Sequence, residues 1–183
     1  MKYLVSIGGA SGSIYGVRLL QELHNAGHET HLIVSSGGKK IVEHETKMTY
    51  DDLKKNTDFF YENNDLFAGP ASGSFPLDAM IIAPCSMKTL SAVATGYGDT
   101  LSSRAASCCL KEERKLILVI RETPLDLPGI TNMLTAKQSG ATILPAMPGF
   151  YHQPKKIEDL IDFIVGKVLD QLDIKHHLFK RWD

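Results

Sequence analysis

An arginine and a glutamate, Arg121 and Glu122, directly follow the apolar run at residues 115–120. Such a run indicates a buried strand, and open α/β folds bind ligands at the carboxyl ends of their strands. Burial and a neighbouring charge shift the pKa of a carboxyl group at such a place. The pair therefore predicts a ligand site that combines a fixed cation with a carboxyl group able to exchange a proton.

A glycine-rich turn, Gly8-Gly9-Ala10-Ser11-Gly12, follows the first apolar run at residues 2–7. Its backbone N–H groups and the Ser11 hydroxyl, placed at a helix start, predict an anion site. The dinucleotide pattern G-x-G-x-x-G does not fit, and serines 35 and 36 stand where that motif needs an acid after the second strand. A Walker loop is also absent. The alternative is a turn required only for tight packing of strand and helix.

A second hydroxyl-rich helix start, Ser86-Met87-Lys88-Thr89, follows Pro84 and Cys85. Two such starts on adjacent strands suit a phosphate joined to a flat ring system. The alternative is a pair of ordinary helix N-caps. Arg104, Lys111 and Lys167 could add positive charge around a substrate phosphate. Taken singly, Lys111 and Lys167 are typical of solvated helix faces, and Glu45 is typical of a carboxylate on a helix surface.

The elements that must position these residues alternate between strand and helix, which predicts one parallel sheet covered on both faces. Strands are predicted at 2–7, 30–34, 78–83, 115–120 and 141–144, with Pro84 ending the third. Helices are predicted at 14–23, 86–94, 101–110, 132–139 and 157–172. Residues 50–76 are interpreted as a helical excursion and a loop over the sheet edge. The fold class is therefore α/β, and residues 1–183 are predicted to form a single domain.

The composition excludes several functional classes. Of 183 residues, 43% are hydrophobic and 22% are charged, and the formal net charge of −1 gives no field for nucleic acid or an anionic membrane. The apolar runs are too short to span a bilayer, and no signal-peptide core develops, so we expect a cytoplasmic protein. Cys85, Cys108 and Cys109 are expected to be reduced core residues, and neither cysteines nor histidines have zinc-ligand spacing.

At this point the chain resembles the flavin prenyltransferases of the UbiX type, once described as small subunits of aromatic-acid decarboxylases. The resemblance covers nearly the whole length and is weakest at residues 50–69. It is carried by the segments Gly9-Ala10-Ser11-Gly12, Tyr15-Gly16-Val17-Arg18, Ser72-Gly73-Ser74-Phe75, Pro84-Cys85-Ser86-Met87-Lys88-Thr89, Arg104-Ala105-Ala106, Leu110-Lys111-Glu112, Arg121-Glu122-Thr123-Pro124, Pro148-Gly149-Phe150-Tyr151 and Val168-Leu169-Asp170-Gln171.

The resemblance implies a flavodoxin-like fold that binds reduced FMN. It implies transfer of a dimethylallyl group from dimethylallyl phosphate to N5 and C6 of the flavin. The product, prenylated FMN, would serve a UbiD-type decarboxylase. It also implies a homo-dodecamer in which FMN lies between subunits.

The family's functional positions are carried over residue by residue. FMN-binding positions match Gly9, Ala10, Ser11, Ser35, Ser86, Met87, Lys88, Thr89 and Arg121. Tyr151 and Lys167 match positions that bind dimethylallyl phosphate, with Arg104, Lys111 and Arg121 completing the phosphate pocket. Trp182 resembles the aromatic tail residue that folds over the site. The expected catalytic residues are Ser11, Glu45, Glu122 and Lys111.

The chemistry is consistent with this residue set. Enzymes that cleave a prenyl diphosphate usually use magnesium on D-D-x-x-D clusters, whereas here Asp51-Asp52 is followed by Leu53-Lys54-Lys55. A monophosphate bound by arginine and lysine needs no metal, and fixed cations stabilise the charge on the departing phosphate. We expect Ser11 and Glu45 to orient the N5 proton, and Glu122 to tune proton transfer to phosphate.

Three other functions are weighed against this one. A flavin-dependent cysteine decarboxylase of the same fold would carry P-A-S-A-N-T at residues 84–89 and a catalytic histidine. A non-catalytic FMN carrier would need the ring pocket but not the cations around Tyr151. A direct aromatic-acid decarboxylase would need residues that bind an aromatic acid independently of the flavin, and the sequence offers none.

Overall fold

The computed structural model describes residues 1–182. Its strands are β1 (Lys2–Ile7), β2 (Glu29–Val34), β3 (Phe59–Glu62), β4 (Ala79–Cys85), β5 (Lys115–Ile120) and β6 (Thr142–Pro145). They form one sheet in the order β3-β2-β1-β4-β5-β6, and every neighbouring pair is parallel. The predicted parallel α/β sheet is confirmed.

Seven helices connect the strands: α1 (Ser13–Asn25), α2 (Ser36–Thr46), α3 (Tyr50–Lys54), α4 (Met87–Thr95), α5 (Leu101–Lys111), α6 (Leu127–Gln138) and α7 (Ile157–Gln171), with a 3-10 turn at Gly69–Ala71. Helices α1 and α7 pack against one face of the sheet, and α4, α5 and α6 pack against the other. In the described part of the chain no helix is both long and apolar enough to cross a membrane.

Side chains of each central strand alternate between the two faces. In β1, Tyr3, Val5 and Ile7 join the core beneath α1 and α7, whereas Leu4 joins the core beneath α4, α5 and α6. Because both faces are covered, the buried residues of β1, β4 and β5 are apolar with one exception, whereas β2 also buries two polar residues. The exception in β1 is Ser6, whose buried hydroxyl contacts another side chain on the α5 face, as described below.

The structure corrects the prediction for residues 50–76. The helical excursion exists as α3, but the segment also contains the edge strand β3, which pairs with residues His31–Val34 of β2. Only one short aromatic run, Phe59-Phe60-Tyr61, marks this strand, and polar residues flank it on both sides. An edge strand that is half exposed carries a weak hydrophobic pattern, which explains why it was missed.

Two predicted boundaries are also wrong. Pro84 does not end the third predicted strand, since β4 continues to Cys85, and the pairing with β5 shifts register between Ile82 and Cys85. Proline lacks the N–H that a regular ladder needs, and an irregular step accommodates it. Helix α6 begins at Leu127 rather than 132 because the Asp126 side chain accepts the Gly129 N–H at 2.8 Å.

The strand order reverses between β1 and β4, because the chain runs outward from β1 to β3 and then returns to the other side of β1. Open α/β sheets bind ligands in the crevice at such a switch point, beyond the carboxyl ends of the strands. Backbones approach closely there: a Cβ added at Gly8 would lie 2.8 Å from the Pro84 carbonyl oxygen. The glycine turn and the start of α4 therefore flank one crevice.

Candidate active site

A polar cavity of about 350 Å³ lies at the switch point. The turn after β1, the starts of α2 and α4, and the start of α5 form its walls. Six of the lining residues were expected from the sequence to bind a ligand or to stand at a helix start: Gly9, Ser35, Ser36, Ser86, Lys88 and Thr89. The structure thus brings the second predicted hydroxyl-rich helix start, at Ser86, together with the start of α2, which was not among the predicted helices, whereas Ser11 of the first predicted start does not line the cavity.

The two serines at these starts are N-caps. Ser35 Oγ accepts the Gly38 N–H at 3.0 Å, and Ser86 Oγ accepts the Thr89 N–H at 3.3 Å. The first N–H groups of a helix have no intrahelical partner, and the helix dipole makes this end partly positive. Each serine caps the N–H of the third residue of its helix. The N–H groups of the first two helical residues are therefore left to bind an anion in the cavity. Ser86 is therefore an N-cap, as the alternative interpretation held, whereas the N-cap of α1 is Gly12, which has no capping side chain. Ligand binding at these starts stays a prediction.

Glycines allow α2 to begin directly against the turn after β1. A Cβ at Gly38 would lie 2.5 Å from the Ile7 carbonyl oxygen, closer than any Cβ normally approaches. Gly9 and Gly37 also face each other, since a Cβ on Gly9 would lie 3.4 Å from the Gly37 Cα. This backbone contact brings the start of α2 to the cavity wall.

The start of α1 is different, because a side chain of the protein already occupies part of the predicted anion site. The Glu45 carboxylate, from the last turn of α2, accepts the N–H groups of Gly12 at 3.0 Å and Ser13 at 2.9 Å, and the Ser13 hydroxyl at 2.7 Å. These donors are therefore not free for an external anion. Glu45 is likewise not the ordinary helix-surface carboxylate that the sequence suggested.

The surroundings of Glu45 favour its charged form. Partial burial alone would raise the pKa of this carboxyl group. Hydrogen bonds from the Ser11 and Ser13 side chains and from the Gly12 and Ser13 backbone oppose that effect and hold the pKa below its usual value. Glu45 is therefore a fixed anion and acceptor beside the Ser11 hydroxyl.

Arg121 completes the group around the glycine turn. Its Nε donates to the Ser11 carbonyl oxygen at 3.0 Å, so the arginine that follows β5 lies across the turn that follows β1. Glu122 stands beside it, and its Oε1 accepts the Thr123 N–H at 3.1 Å. Both charged residues lie at the carboxyl edge of the sheet, as predicted from the apolar strand that precedes them.

A second group forms where α7 meets the C-terminal segment. The Tyr151 ring lies edge-on to the Trp182 ring at 5.5 Å and to the Phe163 ring at 5.8 Å. Tyr151 and Trp182 line a hollow of about 210 Å³ together with His152, Lys180 and Arg181. Trp182 is thus placed against Tyr151, the arrangement that the resemblance implied for the tail.

The predicted cations on α5 form a third group. Arg104 Nε donates to the Ala71 carbonyl oxygen at 3.0 Å, and Lys111 Nζ pairs with Glu112 at 3.1 Å. Helix α5 packs on the opposite face of the sheet from α7, which carries Lys167. In the described residues the predicted phosphate-binding side chains therefore lie on separate elements of one protomer.

Sequence reasoning missed the residues that form the cavity floor. Ser102 Oγ donates to Asn63 Oδ1 at 2.6 Å and lies 2.7 Å from the Ser6 hydroxyl, and all three residues line the cavity. One signal was available, because Ser6 interrupts an apolar strand. Asn63 could not be found in this way, since it follows β3, the strand that was not predicted.

Four of the predicted FMN-binding residues are not among the residues that line the cavity: Ala10, Ser11, Met87 and Arg121. Met87 packs among the core residues under α6, where a Cβ on Gly129 would lie 3.1 Å from its sulfur. Ala10 is buried. Any contact that Met87 or Ala10 makes with a ligand therefore comes mainly through its N–H group or carbonyl oxygen.

Comparison with known proteins identifies the family. Residues 1–169 match the family model described as Flavoprotein. The chain is 48% identical over 182 residues to the flavin prenyltransferase UbiX of Thauera aromatica, a match that covers 100% of this chain and 94% of the relative.

Two solved structures are also similar. The complex of AnUbiX (PadA1) with FMN and dimethylallyl pyrophosphate is 41% identical with a TM-score of 0.98, covering 100% of this chain and 97% of the other. A dodecameric FMN-dependent UbiX-like decarboxylase from Escherichia coli O157:H7 is 42% identical with a TM-score of 0.98, and the match covers all of both chains. The fold is flavodoxin-like, and the chain belongs to the flavoprotein family and, within it, to the flavin prenyltransferases of the UbiX type.

Proposed function

We propose that this protein transfers a dimethylallyl group from dimethylallyl phosphate to reduced FMN, with new bonds at N5 and C6 of the flavin. The observation that carries the proposal is the near-identity of this fold to a relative solved with both FMN and a dimethylallyl ester. The polar cavity at the switch point supports it, because it supplies the helix starts and hydroxyls that a flavin phosphate needs.

The residues present fit FMN. Ser35 and Ser86, with the helix starts they cap, would bind the phosphate, and Lys88 and Thr89 would add a cation and a hydroxyl. The turn at Gly9, Ala10 and Ser11, the Met87 backbone and Arg121 are the remaining proposed FMN-binding positions. When bound and reduced, the flavin supplies the nucleophilic nitrogen and carbon.

Binding of dimethylallyl phosphate is assigned to Tyr151 and Lys167, with Arg104, Lys111 and Arg121 around its phosphate. These side chains lie on separate elements of one protomer, which supports a site assembled from several copies. We propose a homo-dodecamer with FMN between subunits, as the dodecameric relative suggests. Cations fixed around a departing phosphate stabilise its developing charge, so the residue set does not require a metal.

We assign the proton-handling roles to the residues around the glycine turn. The Ser11 side chain helps to keep Glu45 charged, and we propose that Glu45 in turn orients the Ser11 hydroxyl toward the flavin edge. Glu122 stands beside Arg121 and would pass a proton to the departing phosphate. We propose that the product then serves a UbiD-type decarboxylase and that the protein works in the cytoplasm.

The test is anaerobic incubation of the purified protein with reduced FMN and either dimethylallyl phosphate or the diphosphate, followed by mass spectrometry. We expect flavin enlarged by one five-carbon unit. Glu122→Gln should slow this conversion by about 10²-fold while FMN remains bound. The matched variant Glu113→Gln, at an exposed residue after α5, should retain full activity. Retention of FMN without any enlarged flavin would instead indicate a carrier.

A further inference from the structure

The C-terminal segment, residues 172–182, turns back along α7 instead of leaving the surface. Its path depends on Gly166, where an added Cβ would lie 2.5 Å from Phe179 Cε1 and 2.6 Å from His176 Cε1. The Phe179 ring also packs on the Phe163 ring at 4.9 Å. The segment is therefore seated on the helix by direct side-chain contact.

Three basic side chains contact the carboxylate of Asp170, which lies in the last turn of α7. Its Oδ1 accepts from Arg181 Nη2 at 2.6 Å and from His176 Nε2 at 3.1 Å. Its Oδ2 accepts from Arg181 Nη1 at 3.3 Å and from Lys167 Nζ at 3.4 Å. Two of these residues belong to the C-terminal segment, and the third is the proposed substrate-binding lysine.

His176 contacts both the backbone of the segment and the Asp170 carboxylate. The Leu178 N–H donates to His176 Nδ1 at 3.2 Å. His176 Nε2 lies 3.3 Å from Arg181 Nη2 and 3.1 Å from Asp170 Oδ1, which can only accept. Because the His176 side chain is only 2% exposed, this contact is protected from water and fixes one carboxylate oxygen.

We propose that Asp170 is a positioning residue that ties Lys167 to the segment carrying Trp182. Because the Asp170 carboxylate accepts hydrogen bonds from Arg181, it places the next residue, Trp182, against Tyr151. Its longest contact is the one to Lys167. A substrate phosphate can thus take the Lys167 ammonium while Arg181 and His176 keep the carboxylate paired and Trp182 in place. This inference rests on the proposed roles of Tyr151 and Lys167 in binding dimethylallyl phosphate.

The experiment uses Trp182 as the reporter, since it is the only tryptophan in the chain. In Asp170→Asn, time-resolved anisotropy should gain a nanosecond component for Trp182, and trypsin should cut faster after Lys175 and Lys180. The KM for dimethylallyl phosphate should rise about tenfold with kcat changed less than threefold. Asp173→Asn is the matched control, because Asp173 is 88% exposed and its ion pair in the described part of the chain is with Lys115.

Arg181→Gln removes the hydrogen bonds between Arg181 and Asp170 from the side of the exposed segment and leaves α7 unaltered. It should increase the motion of Trp182 equally, even where Asp170→Asn folds poorly. Unchanged motion of Trp182 in both variants would overturn the proposed role of Asp170 in holding the C-terminal segment. A freed Trp182 with an unchanged KM would overturn its link to substrate. Failure of the proposed function appears elsewhere, as absence of enlarged flavin in the unaltered protein, and leaves the anisotropy and proteolysis results valid.

Discussion

Glu45 connects two helices next to the proposed reaction centre, since it stands in the last turn of α2 and caps the start of α1 through Gly12 and Ser13. A carboxylate at a helix N-terminus satisfies unpaired N–H groups and interacts favourably with the helix dipole. In the proposed mechanism the same side chain orients Ser11. Glu45 therefore contributes both to the stability of the fold and to the proposed chemistry.

Glu45→Gln should lower the thermal midpoint at neutral pH by about 2–4 °C, which corresponds to about 1 kcal/mol for a chain of this length. The folded-state pKa of Glu45 is depressed, so this stabilisation is complete above the unfolded pKa and disappears as pH falls through the folded value. Calorimetry at fixed protein concentration, between pH 7 and pH 3, measures the difference. Glu43→Gln, on the exposed side of α2, is the control. A difference between Glu45→Gln and wild type that persists at low pH would contradict the assignment.

At the residue scale, the sequence identified the side chains that follow strands. Arg121, Glu122, Ser35 and Ser86 lie at the carboxyl edge because a buried strand directly precedes each of them. The hydrogen bond from Gly12 to Glu45 could not be predicted from the residues alone. The two residues are 33 positions apart in sequence, and their contact depends on how α2 packs against α1.

Among the elements, the contact between the start of α2 and the end of β1 leaves no room for an additional methyl group. The hydrogen atom of Gly38 faces the Ile7 carbonyl oxygen, and Val34 closes the other side. At Gly37, one residue earlier, an added Cβ would find only ordinary van der Waals contacts, the nearest at 3.4 Å from Gly9.

Gly38→Ala should therefore lower the free energy of unfolding by about 1–3 kcal/mol, because the new methyl group forces α2 away from β1. Gly37→Ala should be neutral or slightly stabilising, since alanine favours a helix more than glycine does. Thermal unfolding of both variants without added flavin makes the comparison. Equal midpoints would show that the α2–β1 contact can relax.

The elements were predictable where burial is strong and were missed where it is weak. The buried strands β1, β4 and β5 carry continuous apolar runs, whereas β3 lies at the edge with a half-exposed pattern. The start of α6 was missed although Asp126 is a standard N-cap residue, because its turn residues, Pro128 and Gly129, are also typical of loops.

Over the whole molecule, the outer face of α6 remains apolar and uncovered within a protomer. Leu127, Ile130 and Leu134 are 75%, 50% and 57% exposed, and their spacing places them on one side of the helix. An exposed apolar stripe of this kind is typical of a protein–protein interface. In the proposed dodecamer, another copy of the chain would cover it.

Ile130→Asp should reduce the assembled mass, because a charge at the centre of this stripe opposes burial between copies. It should also reduce retained FMN if the flavin lies between subunits. Size-exclusion chromatography with light scattering measures the mass, with Gln138→Asp at the exposed end of α6 as control. An unchanged mass would place the interface elsewhere.

The global architecture followed from alternating strands and helices, but the complete site did not. The cations on α5 and the tyrosine before α7 are grouped by the resemblance alone, since in the described residues Arg104 donates to Ala71 whereas the Tyr151 ring packs on Phe163. Sequence periodicity describes how a chain packs against itself, and it carries no equivalent signal for side chains contributed by neighbouring copies.

Helix α2 also acts as a spacer of defined length. Its first residue, Ser36, lies at the proposed phosphate end of the cavity, and Glu45 lies nine residues further along, at the proposed reacting end. At 1.5 Å per residue, the two are separated by about 14 Å along the helix axis. Inserting a single residue in between would swing the carboxylate by about 100° around the helix axis. Natural insertions and deletions should therefore be excluded from this helix while the neighbouring segment before β3 tolerates them.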